Sequence, residues 1–218
     1  MPDTIVTEDV HLVSGYMARP IENGSYPSII ILQEWWGLDE HIRDVTRRFA
    51  REGYLALAPD LYHGSITDDP EQARSMSSGL DRSRATRDVI TGIDHLLNHN
   101  MSNGKIYTIG YCMGGGISIL VACNRKVNGA IVYYGGLPNP EDQLDNLQSP
   151  VLGIFGSDET DRATSLENAL KARGKESDIH IYEGAQHAFF NDSWEERYDS
   201  EASSDSWVKV LNFLNKNS

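Results

Sequence analysis

The chain has 218 residues, of which 39% are apolar and 23% are charged, an ordinary globular balance that supports a single hydrophobic core. Its net charge of −13 at pH 7 makes nucleic acid and anionic membrane surfaces poor partners, and it would repel an anionic substrate at long range. We expect one domain over residues 1–218, present as a monomer or a small homo-oligomer.

The two cysteines, Cys112 and Cys123, are eleven residues apart and form no C-x-x-C pair, which argues against a disulfide framework and a zinc site. The first residues show no basic region followed by an apolar run, so a signal peptide is not expected. No segment approaches the ~18 consecutive apolar residues of a spanning helix. We therefore expect a cytoplasmic protein, in which a thiol stays reduced and available for chemistry.

Short β-rich runs alternate with longer helical patterns along the chain. The first half predicts an antiparallel hairpin within residues 5–19, a buried strand at 28–33, a helix whose apolar face carries Ile42, Val45 and Phe49, and a strand at 54–58. Residues 59–83 are polar and rich in proline and glycine, which predicts a loop. A helix with an apolar stripe at residues 90–97 is expected to follow.

The second half continues the alternation. It predicts strands at 105–110, 129–134, 151–155 and 178–182, and helices at 113–123, at 160–173 and around residues 207–214. Strands that alternate with helices in this way are typical of βαβ units. The sequence therefore predicts an α/β fold, with an open, doubly wound, mostly parallel sheet and helices on both faces.

The sharpest chemical signal is Gly110-Tyr111-Cys112-Met113-Gly114, which lies between an apolar strand and an apolar helix. This is the G-x-S-x-G nucleophile elbow with cysteine in place of serine. The glycines let strand and helix approach closely, and the helix N-terminus stabilises a thiolate. The alternative is a buried structural cysteine beside a glycine-rich helix start.

Two further residues follow Cys112 in the chain order of a nucleophile–acid–base triad. Asp158 comes just after the strand at 151–155, and His187 lies in the loop after the strand at 178–182. Each also has a structural interpretation, Asp158 as a helix-capping carboxylate and His187 as a surface histidine. Their shared order and context favour an acid and a base acting on the thiol.

A carboxylate, Glu34, directly follows the predicted buried strand at 28–33, at the strand end where ligands bind in open α/β sheets. Trp35 and Trp36 beside it would make the surroundings apolar, which favours the protonated carboxyl and suits proton exchange. The alternative is that Glu34 caps the next segment and the tryptophans belong to the core.

Five segments together resemble the dienelactone hydrolase family (carboxymethylenebutenolidases) of the α/β-hydrolase superfamily, over nearly the whole chain. They are QEWWG at 33–37, APDLYHG at 58–64, GYCMGG at 110–115, GSDE at 156–159 and GAQHAFFN at 184–191. The resemblance implies an α/β-hydrolase fold and an enzyme that hydrolyses small esters or lactones through an acyl-thioester. It implies no metal and no organic cofactor.

The resemblance also assigns roles to individual residues. It implies that Cys112 is the nucleophile, with Asp158 and His187 completing the triad. It implies that Glu34 is an auxiliary carboxylate that pairs with the resting thiol. The oxyanion hole would be formed by the backbone amides of Met113 and Trp35.

The substrate pocket departs from the family pattern. Family members that cleave dienelactones bind the substrate carboxylate with two arginines, one of them four residues after the catalytic histidine, where this chain has Asn191. The candidates for the other arginine are Arg74, Arg82 and Arg84, and none matches the pattern. The absence of a bidentate guanidinium favours a neutral substrate.

The residues predicted to line the pocket are Trp36, Tyr62, Arg74, Phe189 and Asn191, with plain packing as the alternative for the aromatic ones. The function predicted is a cysteine-dependent hydrolase of small esters or lactones. A thioesterase or a general carboxylesterase could use the same triad. A binding module without catalytic activity is the alternative from another class of protein.

Overall fold

The computed structural model describes residues 5–12 and 14–218. In that part of the chain the strands are β1 (Thr7–Leu12), β2 (Gly15–Pro20), β3 (Tyr26–Leu32), β4 (Leu55–Pro59), β5 (Ser102–Tyr111), β6 (Gly129–Tyr133), β7 (Val151–Gly156) and β8 (Ser177–Tyr182). The helices are α1 (Glu40–Arg51), α2 (Pro70–Gly79), α3 (Arg82–Leu97), α4 (Met113–Asn124), α5 (Thr160–Ala172) and α6 (Ser200–Lys216). Short 3-10 turns cover Glu141–Asn146 and Ser157–Glu159.

The strand order in the sheet is β1-β2-β4-β3-β5-β6-β7-β8. Contacts divide the chain into two compact units, Met1–Tyr107 and Thr108–Ser218, and β5 runs through the boundary. The expectation of one domain over residues 1–218 stays a prediction. None of the helices in the described ranges is long and apolar enough to cross a membrane.

The first unit begins with the predicted antiparallel hairpin, which is confirmed by the pairing of β1 with β2. Strand β2 also pairs antiparallel with β4, and β4 pairs parallel with β3. Residues 29–32 of β3 have no exposed surface, as predicted for a strand buried on both faces. Helix α1 buries Ile42, Val45 and Phe49 on one face, which confirms its predicted apolar stripe.

Helix α2 lies inside the stretch that the sequence predicts to be a loop. It begins with Pro70 at its first turn, and the Asp69 carboxylate accepts a hydrogen bond from the backbone N–H of Glu71 at 2.8 Å. Both are ordinary helix-start signals. Ala73 is the one buried residue of this helix, so no apolar periodicity marks it in the sequence.

The second unit contains the parallel ladder of β6, β7 and β8. Helix α4 packs against β6, and α5 packs against β7 and β8. Parallel strands present their C-terminal ends at one edge of a sheet. The elbow after β5, the 3-10 turn after β7 and the loop after β8 are therefore brought to the same edge.

Candidate active site

Cys112 occupies the sharp turn between β5 and α4 in a backbone conformation that non-glycine residues rarely adopt, with φ of 54°. Its backbone N–H donates to the Tyr133 carbonyl at 3.1 Å. The side chain is half-buried at the N-terminus of the twelve-residue helix α4. This is the predicted elbow geometry, which presents a thiol beside the positive end of a helix dipole.

Two glycines make this turn possible. A Cβ on Gly110 would lie 2.0 Å from the carbonyl oxygen of Gly114, and a Cβ on Gly115 would lie 2.7 Å from the carbonyl oxygen of Tyr133. Both obstacles are backbone atoms that cannot move aside. The predicted reason for glycine on the strand side of the elbow is thereby confirmed.

His187 lies in the loop after β8, where its side chain contacts two other functional groups. The Cys112 side chain interacts with its imidazole and raises its pKa. Its Nδ1 lies 2.8 Å from Oε1 of Glu159, which leaves Nε2 for the thiol. The imidazole therefore stands between a thiol and a carboxylate.

The carboxylate that reaches the His187 ring is that of Glu159, and this corrects the sequence prediction of Asp158. The 3-10 turn Ser157–Glu159 leaves Asp158 exposed and buries the Glu159 side chain to 7% exposure. Oδ2 of Asp158 instead accepts a hydrogen bond from the backbone N–H of His187 at 3.1 Å. Asp158 thus holds the loop, while Glu159 contacts the ring.

Opposing effects act on the pKa of His187. Burial lowers it, but the hydrogen bonds and charge interactions with Cys112 and Glu159 have the larger, opposite effect. Together they raise the pKa of His187 to about 10. The physical cause is that a thiolate and a carboxylate both stabilise the imidazolium. The side-chain contacts thus favour a protonated imidazole next to the sulfur.

Strained backbone is concentrated around these side chains. Among the non-glycine residues of the described ranges, positive φ occurs at Cys112, at Tyr134 (40°), at Ala188 (68°) and at His63 (52°). The Tyr134 ring packs against that of His187 with ring centroids 4.9 Å apart, and Ala188 directly follows His187 in the chain. Such conformations cost ~1–3 kcal/mol each and cluster at functional sites.

The aromatic residues after His187 pack in the core. Phe189 has no exposed surface, and its ring lies 5.3–6.3 Å from those of Tyr133, Tyr134 and Tyr182. Phe190 is 2% exposed and stacks on Tyr111 at 5.4 Å. This burial favours the plain-packing alternative for Phe189 over the predicted pocket role.

Asn191, the other predicted pocket residue of this segment, is buried as well. Asn191 is only 3% exposed, and its Oδ1 accepts a hydrogen bond from the backbone N–H of Ser193 at 3.0 Å. This is an Asx turn. The position that would carry a substrate-binding arginine thus holds a buried turn residue.

The remaining predicted site residues lie in the first unit. Glu34 is 1% exposed and lies two residues after the end of β3. Trp35 and Trp36 are half-buried and pack edge to face with centroids 5.0 Å apart. Tyr62 is half-buried, and Arg74 is exposed on α2. Their predicted roles stay predictions.

In the described residues there is no group of three or more His, Cys, Asp or Glu side chains that could hold a metal ion.

The sequence profile of the dienelactone hydrolase family matches residues 13–218. The chain belongs to this family. A relative from Salmonella typhimurium named "putative carboxymethylenebutenolidase" is 33% identical over 219 residues, covering 91% of this chain and 81% of the relative. One of the same name from Saccharolobus solfataricus is 29% identical and covers 94% of both chains.

Solved structures agree with the assignment. The crystal structure described as a "putative dienelactone hydrolase" from Klebsiella pneumoniae superposes with a TM-score of 0.88 at 30% identity, covering 98% of this chain and 99% of that one. The predicted family and the predicted α/β-hydrolase fold are thereby confirmed. The protein is a hydrolase of the dienelactone hydrolase family.

In this dienelactone hydrolase family member, sequence reasoning missed Glu159 and its neighbour Arg162. The segment GSDE offers two adjacent carboxylates, and the choice between them depends on how the chain turns after β7. Neither carboxylate could be chosen from residue type alone.

Proposed function

We propose that this chain hydrolyses small carboxylic esters or lactones with Cys112 as nucleophile, His187 as acid and base, and Glu159 as the carboxylate that orients the imidazole. The observation that supports this most directly is the double contact of His187. Its ring interacts with the Cys112 side chain, and its Nδ1 lies 2.8 Å from Glu159 Oε1. A nucleophile, a base and an orienting carboxylate in that order are the requirements for covalent acyl transfer.

The reaction follows from these groups. The Cys112 thiolate attacks the ester carbonyl carbon, a C–S bond forms, and the C–O bond to the alcohol breaks. The alcohol oxygen takes the proton of the His187 imidazolium. Water then attacks the acyl-thioester while His187 accepts its proton, the carboxylic acid leaves, and the thiolate returns to its imidazolium partner.

The negative charge on the carbonyl oxygen needs donors in both steps. We assign one donor to the backbone N–H of Met113, which is the first residue of α4 and directly follows the nucleophile. The second donor implied by the family resemblance, the backbone N–H of Trp35, stays a prediction.

Glu34 has a predicted role as the auxiliary carboxylate of the resting thiol. Its burial to 1% exposure is compatible with that role and also with a structural one. The variant Glu34→Gln distinguishes the proton-exchange role from the structural role. A proton-exchange role predicts slower acylation and a changed pH dependence of Cys112 alkylation by iodoacetamide, whereas a structural role predicts a lower melting temperature with the alkylation profile unchanged.

We propose neutral rather than carboxylate-bearing substrates. Asn191 occupies the position of the family's carboxylate-binding arginine, and its side chain is buried in a turn. The overall charge of −13 adds long-range repulsion of anions. A panel of neutral and carboxylate-bearing esters and lactones, compared by kcat/KM, tests this substrate class.

The experiment that tests the proposed function is hydrolysis of p-nitrophenyl butyrate by wild type, Cys112→Ala and Cys123→Ala. Cys123 is the matched control because it is the other cysteine, is buried in α4, and burial raises the pKa of its thiol to about 11. We expect Cys112→Ala to lose essentially all activity and Cys123→Ala to keep it. Turnover at the wild-type rate by folded Cys112→Ala would overturn the proposal.

A further inference from the structure

Arg162, in the first turn of α5, contacts the same carboxylate oxygen as the proposed base. Its Nη1 lies 2.6 Å from Oε1 of Glu159, the oxygen that is also 2.8 Å from Nδ1 of His187. The same Nη1 donates to the backbone carbonyl of Tyr134 at 3.1 Å, and the Tyr134 ring packs against His187. One guanidinium therefore joins the carboxylate to the backbone behind the imidazole.

The burial of Glu159 explains why such a partner matters. The Glu159 side chain is 7% exposed, whereas that of Arg162 is 48% exposed and reaches the carboxylate from the solvent side. Oε2 of Glu159 is buried and accepts no hydrogen bond from the described residues. A buried carboxylate is costly unless it is paired, and glutamate has one more rotatable bond to fix than aspartate.

We propose that Arg162 is a positioning residue that holds the Glu159 carboxylate in place for His187 and limits how strongly this carboxylate stabilises the imidazolium. The positive charge of Arg162 acts against the imidazolium charge that the Glu159 carboxylate stabilises. The kinetic consequence of this proposal rests on the proposed function. The electrostatic consequence does not, because it concerns the proton affinity of His187 alone.

Several groups from different elements face the His187 ring or its backbone. They are Cys112 at the start of α4, Asp158 and Glu159 in the turn after β7, Arg162 on α5 and Tyr134 just after β6. Of these, Arg162 is the cation. Its removal should therefore raise the pKa of His187.

The test is an NMR titration of His187 in wild type, Arg162→Gln, Arg162→Lys and Arg173→Gln, with the resonance assigned by its loss in His187→Gln. Arg173 is the matched control: it lies at the other end of the same helix and pairs with Asp145 at 2.8 Å and Glu141 at 3.0 Å. We expect Arg162→Gln to raise the midpoint by about half a unit or more. Arg162→Lys keeps the charge and should stay near wild type, as should Arg173→Gln.

Ester hydrolysis by the same variants gives the kinetic readout. We expect Arg162→Gln to lower kcat about tenfold with KM nearly unchanged, because the imidazole is less well oriented and substrate binding is not affected. Arg173→Gln should leave both constants unchanged. An unchanged His187 midpoint in folded Arg162→Gln would overturn the inference. A wild type that hydrolyses no ester would instead overturn the proposed function, and the NMR midpoints would still decide the role of Arg162.

Discussion

Two neighbouring carboxylates at the end of β7 differ in what they contact, and this difference sets their expected importance. Glu159 reaches the imidazole nitrogen at 2.8 Å, whereas Asp158 accepts only the backbone N–H of His187. Glu159→Gln should therefore lower kcat by roughly 100-fold or more, since an amide neither fixes the reactive tautomer nor stabilises the imidazolium. Asp158→Asn should cost less than about tenfold, because an amide oxygen still accepts the N–H.

Steady-state kinetics measures kcat for both variants. Far-UV circular dichroism serves as the control for folding. Equal losses would mean that the loop position matters as much as the ring contact. A larger loss in Asp158→Asn would return the orienting role to Asp158.

The raised pKa of His187 predicts where activity falls at high pH. Hydrolysis of an alkyl ester needs the imidazolium to protonate the leaving alcohol, so kcat/KM should persist above pH 8 and fall as the pH approaches about 10. Glu159→Gln removes one of the contacts that raise this pKa, so its alkaline limb should move to lower pH. A pH-stat assay measures both profiles, and a wild-type limb near pH 7 would contradict this assignment.

At the scale of elements, the elbow depends on the backbone contact between the end of β5 and the first turn of α4. Gly110→Ala would place a methyl group 2.0 Å from the Gly114 carbonyl oxygen. We expect it to destabilise the fold by at least about 2 kcal/mol, because strand and helix must move apart. Gly136→Ala is the control, since its added Cβ meets nothing within 4 Å.

Urea unfolding of both variants measures the difference. Gly136→Ala should change the free energy of unfolding by less than about 0.5 kcal/mol. Similar values for the two variants would show that the turn relaxes and that the close approach at Gly110 is not required.

How far the sequence predicts these elements depends on whether the pattern is local. The elbow could be predicted because its glycines, its thiol and its flanking strand and helix are contiguous in the sequence. Strand β3 could be predicted because its apolar run is unbroken. Helix α2 could not, because it buries only Ala73. The choice of Glu159 over Asp158 depends on a single 3-10 turn, and the burial of Phe189 depends on rings from β6 and β8. No pattern within these segments records that packing.

At the scale of the whole molecule, the net charge of −13 gives a prediction about anionic substrates. Salt screens long-range repulsion, with a Debye length of about 10 Å at 0.1 M ionic strength. Raising NaCl from 20 to 300 mM should therefore raise kcat/KM for a carboxylate-bearing ester and leave a neutral ester of similar size unchanged. A fall for the anionic ester would instead reveal a local cationic site that salt weakens.

The central claim is that Cys112 carries the acyl group during turnover. The most direct measurement is rapid acid quenching of the enzyme during hydrolysis of p-nitrophenyl butyrate, followed by intact-mass analysis and peptide mapping. We predict one butyryl group per chain, located on Cys112, released by hydroxylamine as a thioester and absent from Cys112→Ala. A butyryl group on another residue, or turnover by Cys112→Ala at the wild-type rate, would contradict the claim.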